Sequence, residues 1–154
     1  NSTYIDCSGD LSCEASTLHS MDSYLNQGDG YINCAGDGSC KRSGLSSTNV
    51  IKCAAHESCY FPDYIIAQND ITCSGDHSCF SNEFVSNDPH IKSITGNVIC
   101  EGSGSCLDAK IESGNHAYCT AHESCATTTI STGGNIYCDG NLACKESSIS
   151  AMGD

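Results

Sequence analysis

Short segments in which apolar or small residues alternate with polar residues recur along the whole chain, and each contains two cysteines six positions apart. A small or aliphatic residue stands two positions before the first cysteine, at Ile5, Ile32, Ile51, Ile71, Val98, Ala117 and Ile136. A large apolar residue stands five positions after the second cysteine, at Leu18, Leu45, Tyr64, Phe84, Ile111, Ile130 and Ile149. A period of two predicts β-strands, and no window keeps the 3.6-residue period of an amphipathic helix.

The spacing of these segments predicts a solenoid. Successive first cysteines lie 27, 19, 20, 27, 19 and 19 residues apart, and a period near 20 residues is typical of repeat architectures. We therefore predict an all-β fold, a parallel β-helix of seven coils, and we expect right-handed winding because parallel crossovers favour it. The chain is then a single domain with coils at residues 1–29, 30–49, 50–69, 70–97, 98–116, 117–135 and 136–154.

A longer repeat of 66 residues, or three coils, lies above the single coil. The segment CAAHESC at 53–59 returns as CTAHESC at 119–125, and duplication of a three-coil block explains this recurrence whatever the role of the His-Glu pair. Two coils are about eight residues longer than the others. We expect their additional residues at the same corner, around Met21 to Gly28 and Asn87 to Ser93, as surface loops.

The cysteine content predicts the environment of the protein. Fourteen of the 154 residues are cysteine, whereas the chain contains no tryptophan and only three phenylalanines. Such a density in a soluble chain is typical of disulfides formed in an oxidising compartment, so we expect a secreted or cell-surface protein. Because a large aromatic core cannot be built from this composition, cross-links are expected to supply much of the stability.

Two ways of pairing the cysteines are open. Six extended residues would separate two cysteines by about 20 Å, whereas a disulfide requires Cα atoms within about 7 Å. Either the segment turns back on itself, which glycine at its third position makes plausible, or the bonds join different coils. Parity favours the first arrangement, because each column holds seven cysteines and cannot pair completely within itself. The pairs are then Cys7–Cys13, Cys34–Cys40, Cys53–Cys59, Cys73–Cys79, Cys100–Cys106, Cys119–Cys125 and Cys138–Cys144.

The C-x5-C unit with its small residues resembles the disulfide-braced coils of beetle antifreeze β-solenoids, in which this spacing is bridged within a coil. The resemblance covers only the seven-residue brace of each coil. Those proteins have shorter coils and a regular Thr-x-Thr array that faces ice, whereas threonines cluster here only at Thr127, Thr128 and Thr129. The resemblance therefore implies a fold, and ice binding is retained only as a further alternative.

One row of loop residues offers candidate chemistry. The third residue after each first cysteine is polar, at Asp10, Asp37, His56, Asp76, Ser103, His122 and Asn141. Asp, Asn and Ser at such positions are typical of Asx-type turns, which we expect here. The alternative is a cation row at Asp10, Asp37, His56 and Asp76, since carboxylates at strand spacing suit Ca²⁺; otherwise we expect no cofactor.

Catalysis has weaker support in the sequence. A zinc site at His56-Glu57 or His122-Glu123 fails on spacing, because HExxH requires a second histidine four residues after the first. Parallel β-helix enzymes that act on polysaccharides align acidic and basic residues in a groove, which would give Asp10, Asp37, His56 and Asp76 catalytic roles. Basic residues are scarce, however, so we expect no enzyme and keep this as an alternative.

Outward-facing positions contain a candidate interface. Residues three before the first cysteine include Tyr4 and Tyr31, and residues one before it include Ile99, Tyr118 and Tyr137. Exposed apolar strips of this kind favour contact with another chain or with carbohydrate; tyrosines scattered on a β surface are the simpler alternative. Asn1, Ser2 and Thr3 form an N-glycosylation sequon, which predicts a glycan at Asn1.

The net charge of the chain and the uncapped edges of its terminal coils restrict the function classes further. The net charge of −13 argues against nucleic acid, and no apolar segment is long enough to span a membrane. The sequence supplies no cap for the terminal coils, so it reads either as a fragment of a longer array or as a subunit that stacks end to end on itself. We expect a non-enzymatic extracellular rod in a filament, appendage or surface coat; the runner-up is a carbohydrate-binding or adhesive module.

Overall fold

The computed structural model describes residues 4–20, 30–81 and 90–153. These residues form short strands joined by turns, and none of them is helical. The strands are β1 (Tyr4–Cys7), β2 (Thr17–Ser20), β3 (Tyr31–Cys34), β4 (Gly44–Ser47), β5 (Val50–Cys53), β6 (Tyr64–Ala67), β7 (Ile71–Cys73), β8 (His90–Ser93), β9 (Val98–Cys100), β10 (Lys110–Ser113), β11 (Ala117–Cys119), β12 (Thr129–Thr132), β13 (Ile136–Cys138) and β14 (Ser148–Ala151).

The strands form two parallel sheets, one on each side of a thin core. In the described chain, sheet 1 has the order β1-β3-β5-β7-β9-β11-β13, and sheet 2 has the order β14-β12-β10-β8-β6-β4-β2. Every coil therefore contributes one strand to each sheet, and all neighbouring strands are parallel. The predicted all-β parallel solenoid of seven coils is confirmed, and its right-handed winding stays a prediction from the usual hand of parallel crossovers.

Stacked aliphatic side chains form the core. In sheet 1, Ile32 pairs with Ile51 and Ile51 with Ile71, and all three are fully buried. In sheet 2, Ile111 pairs with Ile91 and Ile130 and is equally buried. Because side chains alternate between the two faces of a strand, the residues between these aliphatic ones point to solvent. The period of two in the sequence thus corresponds to one inward and one outward face in each sheet.

Two members of the predicted apolar column are wrong. The structure places Ile65 beside Leu45 and Ile91 beside Ile65, so Ile65 replaces the predicted Tyr64. Tyr64 pairs instead with Gly44 and faces outward. The third coil has one additional residue between its second cysteine and β6, which shifts the strand by one position and exchanges its faces. Phe84 lies outside the described residues, and Ile91 occupies the column position predicted for it.

The prediction that both long coils expand at the same corner is also wrong. Residues 21–29, which include the predicted loop at Met21 to Gly28 and lie outside the described residues, follow β2 in the first coil. In the fourth coil, residues 82–89 are outside the described residues and precede β8, whereas His90–Ser93 is a strand. The predicted loop from Asn87 to Ser93 therefore overlaps a core strand, and the 66-residue cysteine repeat lacks a common insertion site.

A disulfide closes one corner of every coil. The described residues include all the cysteines, and they form the seven within-coil pairs given above, with Cα–Cα distances of 5.8–6.0 Å. Each loop contains a β-turn; in the first coil the N–H of Ser12 donates to the carbonyl of Gly9 at 3.0 Å. In the loop-entropy account, each such small ring stabilises the fold by about 2 kcal/mol.

The fourth residue after each first cysteine has a left-handed backbone. Its φ lies between 52° and 63° in all seven coils, at Leu11, Gly38, Glu57, His77, Gly104, Glu123 and Leu142. A positive φ at the third turn position is typical of a type II turn and favours glycine. This conformation points the N–H along the solenoid axis, so that Glu57 donates to the carbonyl of Asp76 and Glu123 to that of Asn141, both at 3.0 Å.

The glycines that suggested a tight arch have a different role. They stand at the second position after the cysteine and do not have positive φ. A Cβ added to Gly75 would collide with the carbonyl oxygen of Ala55 in the preceding coil, and one added to Gly102 would collide with that of Gly75. Glycine at this position therefore permits close stacking of successive coils, whereas the fourth residue produces the turn.

Buried serines fall into two classes. Serines immediately before the second cysteine are inside the corner, and their hydroxyls lack a hydrogen-bond partner in the described structure, at Ser12, Ser39, Ser58, Ser78, Ser105 and Ser124. By contrast, the hydroxyl of Ser113 at the end of β10 has two carbonyl acceptors for its single proton, His116 at 2.8 Å and Gly96 at 3.0 Å. Only in the second class does the serine hydroxyl form a hydrogen bond within the described structure.

We predict that Glu123→Gly stabilises the protein by about 0.5–1 kcal/mol, because glycine removes the Cβ strain of the left-handed conformation and costs only backbone entropy. Gly38 and Gly104 show that this position accepts glycine. Thr120→Gly in the same loop is the control, since Thr120 does not have a positive φ, and it should be destabilising. Urea unfolding of both variants measures the difference; a loss of stability in Glu123→Gly would contradict the strain assignment.

We predict opposite effects for two buried serines. Ser78→Ala should leave stability unchanged or raise it by about 1 kcal/mol, because it removes an unpartnered buried hydroxyl. Ala143, which is buried at the equivalent position of the seventh coil, shows that alanine fits. Ser113→Ala should cost about 1 kcal/mol, because it removes the hydrogen bond that this hydroxyl donates to a backbone carbonyl. Equal destabilisation of the two variants in thermal unfolding would refute the distinction.

Candidate functional site

The predicted cation row lies along the exposed disulfide corner. Asp10, Asp37, His56 and Asp76 occupy equivalent positions in successive loops, and all four are exposed. The carboxylate of Asp76 accepts a hydrogen bond from the N–H of Ser103 in the next coil, at 3.2 Å. This hydrogen bond joins two coils, whereas in the expected Asx-type turn the carboxylate would accept a hydrogen bond from a backbone N–H of its own loop.

Metal-ligating side chains converge at one place in the described residues. The sulfurs of Cys34, Cys53 and Cys59 lie within 4.8 Å of one another. Each of these cysteines belongs to a disulfide, so none offers a thiolate to a metal ion. The aspartates and histidines of the exposed row do not form such a group.

The two His-Glu pairs have the same backbone but different contacts. Glu57 and Glu123 both have the left-handed backbone conformation. Glu57 lies 3.2 Å from the ammonium of Lys41, which in turn stands 4.7 Å above the ring of Tyr60. Glu123 has no lysine among its described ion pairs and lies 3.8 Å from the imidazole of its neighbour His122. The repeated motif therefore specifies a turn, and its side chains interact according to the adjacent coil.

An aromatic cluster at the same corner was missed by sequence reasoning. The rings of Tyr60 and Phe80 are stacked with centroids 5.2 Å apart, and Phe61 packs against both. His77 meets Phe80 edge-on at 5.9 Å. Tyr60 and Phe80 both directly follow the second cysteine of their coils, so alignment of that column contained the signal. The cluster packs the third and fourth coils together at a half-buried position of the corner.

The outward face of sheet 1 contains the predicted tyrosine strip. Tyr118 and Tyr137 are register partners whose rings stack at 4.9 Å with an interplanar angle of 6°, and Ile99 is the register partner of Tyr118 in the preceding coil. Tyr4 and Tyr31 stack at 5.2 Å and 0° in the first two coils. The strip is thus two separate stacks. Within each stack, one face of each ring is covered by its partner, and Tyr4 and Tyr137 of the end coils remain 49% and 43% exposed.

The tyrosine stacks have distinct polar surroundings. Burial, together with the neighbouring Tyr4 and Asp6, raises the pKa of the Tyr31 phenol above its ordinary value. The imidazole of His116 meets the rings of Tyr118 and Tyr137 edge-on at 6.0 and 5.9 Å.

Sheet 2 contains a cluster of basic residues around one carboxylate. Glu112 lies 3.0 Å from Lys92, 3.2 Å from His90 and 3.5 Å from Lys110. The hydrogen bond from Lys92, assisted by His90, lowers the pKa of Glu112 although partial burial opposes the shift. The sequence contains only six lysines and arginines, and two of them meet here because β8 and β10 are adjacent.

Large apolar side chains are exposed mainly in the first and seventh coils. Among the described residues they are Tyr4, Leu11, Ile94, Tyr137, Leu142, Ile149 and Met152, and only Ile94 belongs to an interior coil. The predicted glycosylation residue Asn1 lies outside the described residues. Within the described part of the chain, no helix has the length and hydropathy needed to cross a membrane.

Comparison of the chain with protein-family models, curated proteins and solved structures finds no match. The resemblance to beetle antifreeze coils therefore rests on the C-x5-C spacing and on the presence of one disulfide in each coil. The outward first position of the sheet 2 strands is occupied by Thr17, Gly44, Tyr64, His90, Lys110, Thr129 and Ser148. This column is not the regular threonine array expected of an ice-binding face.

We predict that the stability contributed by Glu112 depends on pH. Its pKa is lowered in the folded state, so the contribution is present above the unfolded-state pKa and is lost as the pH falls through the folded-state pKa. Glu112→Gln should therefore be less stable than the parent protein at neutral pH and should match it in strong acid. Thermal unfolding as a function of pH measures this difference, with Glu101→Gln in an exposed loop as the control. A difference independent of pH would contradict the charge interaction.

Proposed function

We propose that the protein is a non-enzymatic structural element of an extracellular assembly, a rigid rod that extends by stacking coil upon coil with further copies of itself. The observation that supports this most directly is the location of the exposed large apolar side chains, which among the described residues lie in the first and seventh coils except for Ile94. The disulfides indicate an oxidising environment. Secretion to a filament, appendage or surface coat agrees with that environment.

The backbone of the last strand in sheet 1 is suited to receive another coil. In the third to sixth coils, the residue two before the cysteine donates its N–H to the following coil, as Ile71 does to Asn97 at 2.9 Å and Ala117 to Asn135 at 3.1 Å. By the same geometry, the N–H of Ile136 points away from the sixth coil. An added strand in register would satisfy it, as strand addition does at other sheet edges.

The first and seventh coils are complementary in their side chains. Stacking the first coil of one copy on the seventh coil of another would continue the core columns, with Ile5 next to Ile136 and Leu18 next to Ile149. In the single chain Ile149 is 49% exposed, whereas its column neighbour Ile130 is 1% exposed. The contact between two copies would therefore bury additional apolar area. Such a head-to-tail contact joins two different surfaces and does not close, so it produces a filament.

We predict that Ile149→Lys prevents stacking and that Ser150→Lys does not. Ile149 points into the end of the core and Ser150 points outward from the same strand, so only the first substitution buries an ammonium when a coil is added. Both variants should fold, because the lysine at 149 can reach water at the exposed end. Sedimentation velocity and electron microscopy over a range of concentrations measure assembly.

The proposal would be overturned by a parent protein that stays monomeric at all concentrations. It would also be overturned if both lysine variants blocked assembly equally, because lateral contact through sheet 2 would then be responsible. Circular dichroism of the monomeric variants is the control that excludes misfolding as the cause.

A further inference from the structure

Both stacked tyrosine pairs connect one end coil to its neighbour. Tyr4 and Tyr31 belong to the first and second coils, and Tyr118 and Tyr137 belong to the sixth and seventh. The ring planes are within 6° of parallel in each pair, and the centroids are 5.2 and 4.9 Å apart. The parallel register holds each pair side by side, since partners in adjacent strands are about 4.8 Å apart.

The pairs are accessible to small reagents in solution. Tyr4 is 49% exposed and Tyr137 is 43% exposed, and both lie on the outward face of sheet 1. Their partners Tyr31 and Tyr118 are partly buried beneath them in the stack. A diffusible oxidant can therefore reach one ring of each pair directly, and the second ring is its nearest aromatic neighbour in the adjacent strand.

The disulfides leave one direction of the solenoid without a covalent brace. Every disulfide joins two cysteines of the same coil. Apart from the backbone, successive coils in the described structure are held together by hydrogen bonds and packing. Terminal coils are paired on one side only, and elements with few contacts open most readily. A covalent bond between coils would have its largest effect at these two places.

We propose that Tyr118–Tyr137 and Tyr4–Tyr31 are sites of oxidative phenol coupling, at which a peroxide-dependent oxidant forms a dityrosine bond between adjacent coils. Each phenol loses one electron and one proton to become a phenoxyl radical. The two radicals join through ring carbons ortho to the oxygens, and the hydrogen on each joined carbon moves to its oxygen. One molecule of hydrogen peroxide is reduced to two molecules of water for each bond formed.

Other tyrosines in the described structure provide internal controls. Tyr60 stacks on Phe80 at 5.2 Å, with an angle of 14°, so it has a similar geometry but a partner without a phenol. Tyr64 pairs with Gly44 and His90 in sheet 2. Neither has a tyrosine in register. The cross-link requires only one copy of the chain, so it does not depend on filament formation.

The test is treatment of a dilute solution of the protein with a haem peroxidase and hydrogen peroxide, followed by peptide mapping. We expect dityrosine fluorescence and two cross-linked peptides, one containing Tyr118 with Tyr137 and one containing Tyr4 with Tyr31, each lighter by two hydrogen atoms. Tyr137→Phe preserves the stacked ring and should abolish the first peptide while leaving the second. Tyr60→Phe should leave both unchanged.

Three outcomes would overturn the inference. They are coupling that is spread over all tyrosines, coupling that occurs only between molecules, and oxidation of the paired rings without coupling. A small photochemical one-electron oxidant, used in parallel, shows whether the size of the peroxidase limits access. Reduced and unfolded protein is the reference for unselective coupling. If the protein proves monomeric, the same peptides are still expected, so this result is independent of the assembly test.

Discussion

Closure of each coil at the disulfide corner is the constraint on which the rest of the structure depends. The loop must reverse direction within seven residues and bring two Cα atoms to within 6.0 Å, while its peptide groups bond to the coils on either side. A left-handed residue at the fourth position meets both requirements, because it turns the chain and directs an N–H along the axis. Coils of one shape result, and only coils of one shape can stack in register.

Register then determines which side chains meet. Inward positions stack like residues into a core that is one side chain deep from each sheet. Outward positions form contacts whose character changes along the solenoid: tyrosine stacks lie towards both ends of sheet 1, and a basic cluster surrounds Glu112 on sheet 2. The strands of interior coils are hydrogen-bonded to a neighbouring strand on both sides. The end coils retain exposed apolar residues such as Leu11 and Met152, and the proposal of assembly rests on these surfaces.

Much of the fold could be predicted from the sequence, because cysteine spacing, a period of two and small loop residues all report on one repeated coil. The same alignment predicted the outward columns that contain the tyrosines, since residues close to the cysteines keep their register, and the structure shows that the rings stack. Errors arose far from the cysteines, where a single additional residue before β6 moved Ile65 into the column predicted for Tyr64. The cluster of Lys92 and Glu112 was missed for the same reason, because the start of β8 could not be placed from the cysteine spacing. These two residues become neighbours only when β8 starts at His90. Sequence spacing cannot show at which corner an insertion lies.

The most direct test of this account is disulfide mapping by mass spectrometry, after proteolysis between coils under non-reducing, acidic conditions that suppress exchange. The account predicts seven linked pairs, each within a single coil, from Cys7–Cys13 to Cys138–Cys144, and no free thiol. Sulfurs linked between different coils, or free thiols in several coils, would contradict it, because the corners would then not be closed and identical coils could not stack.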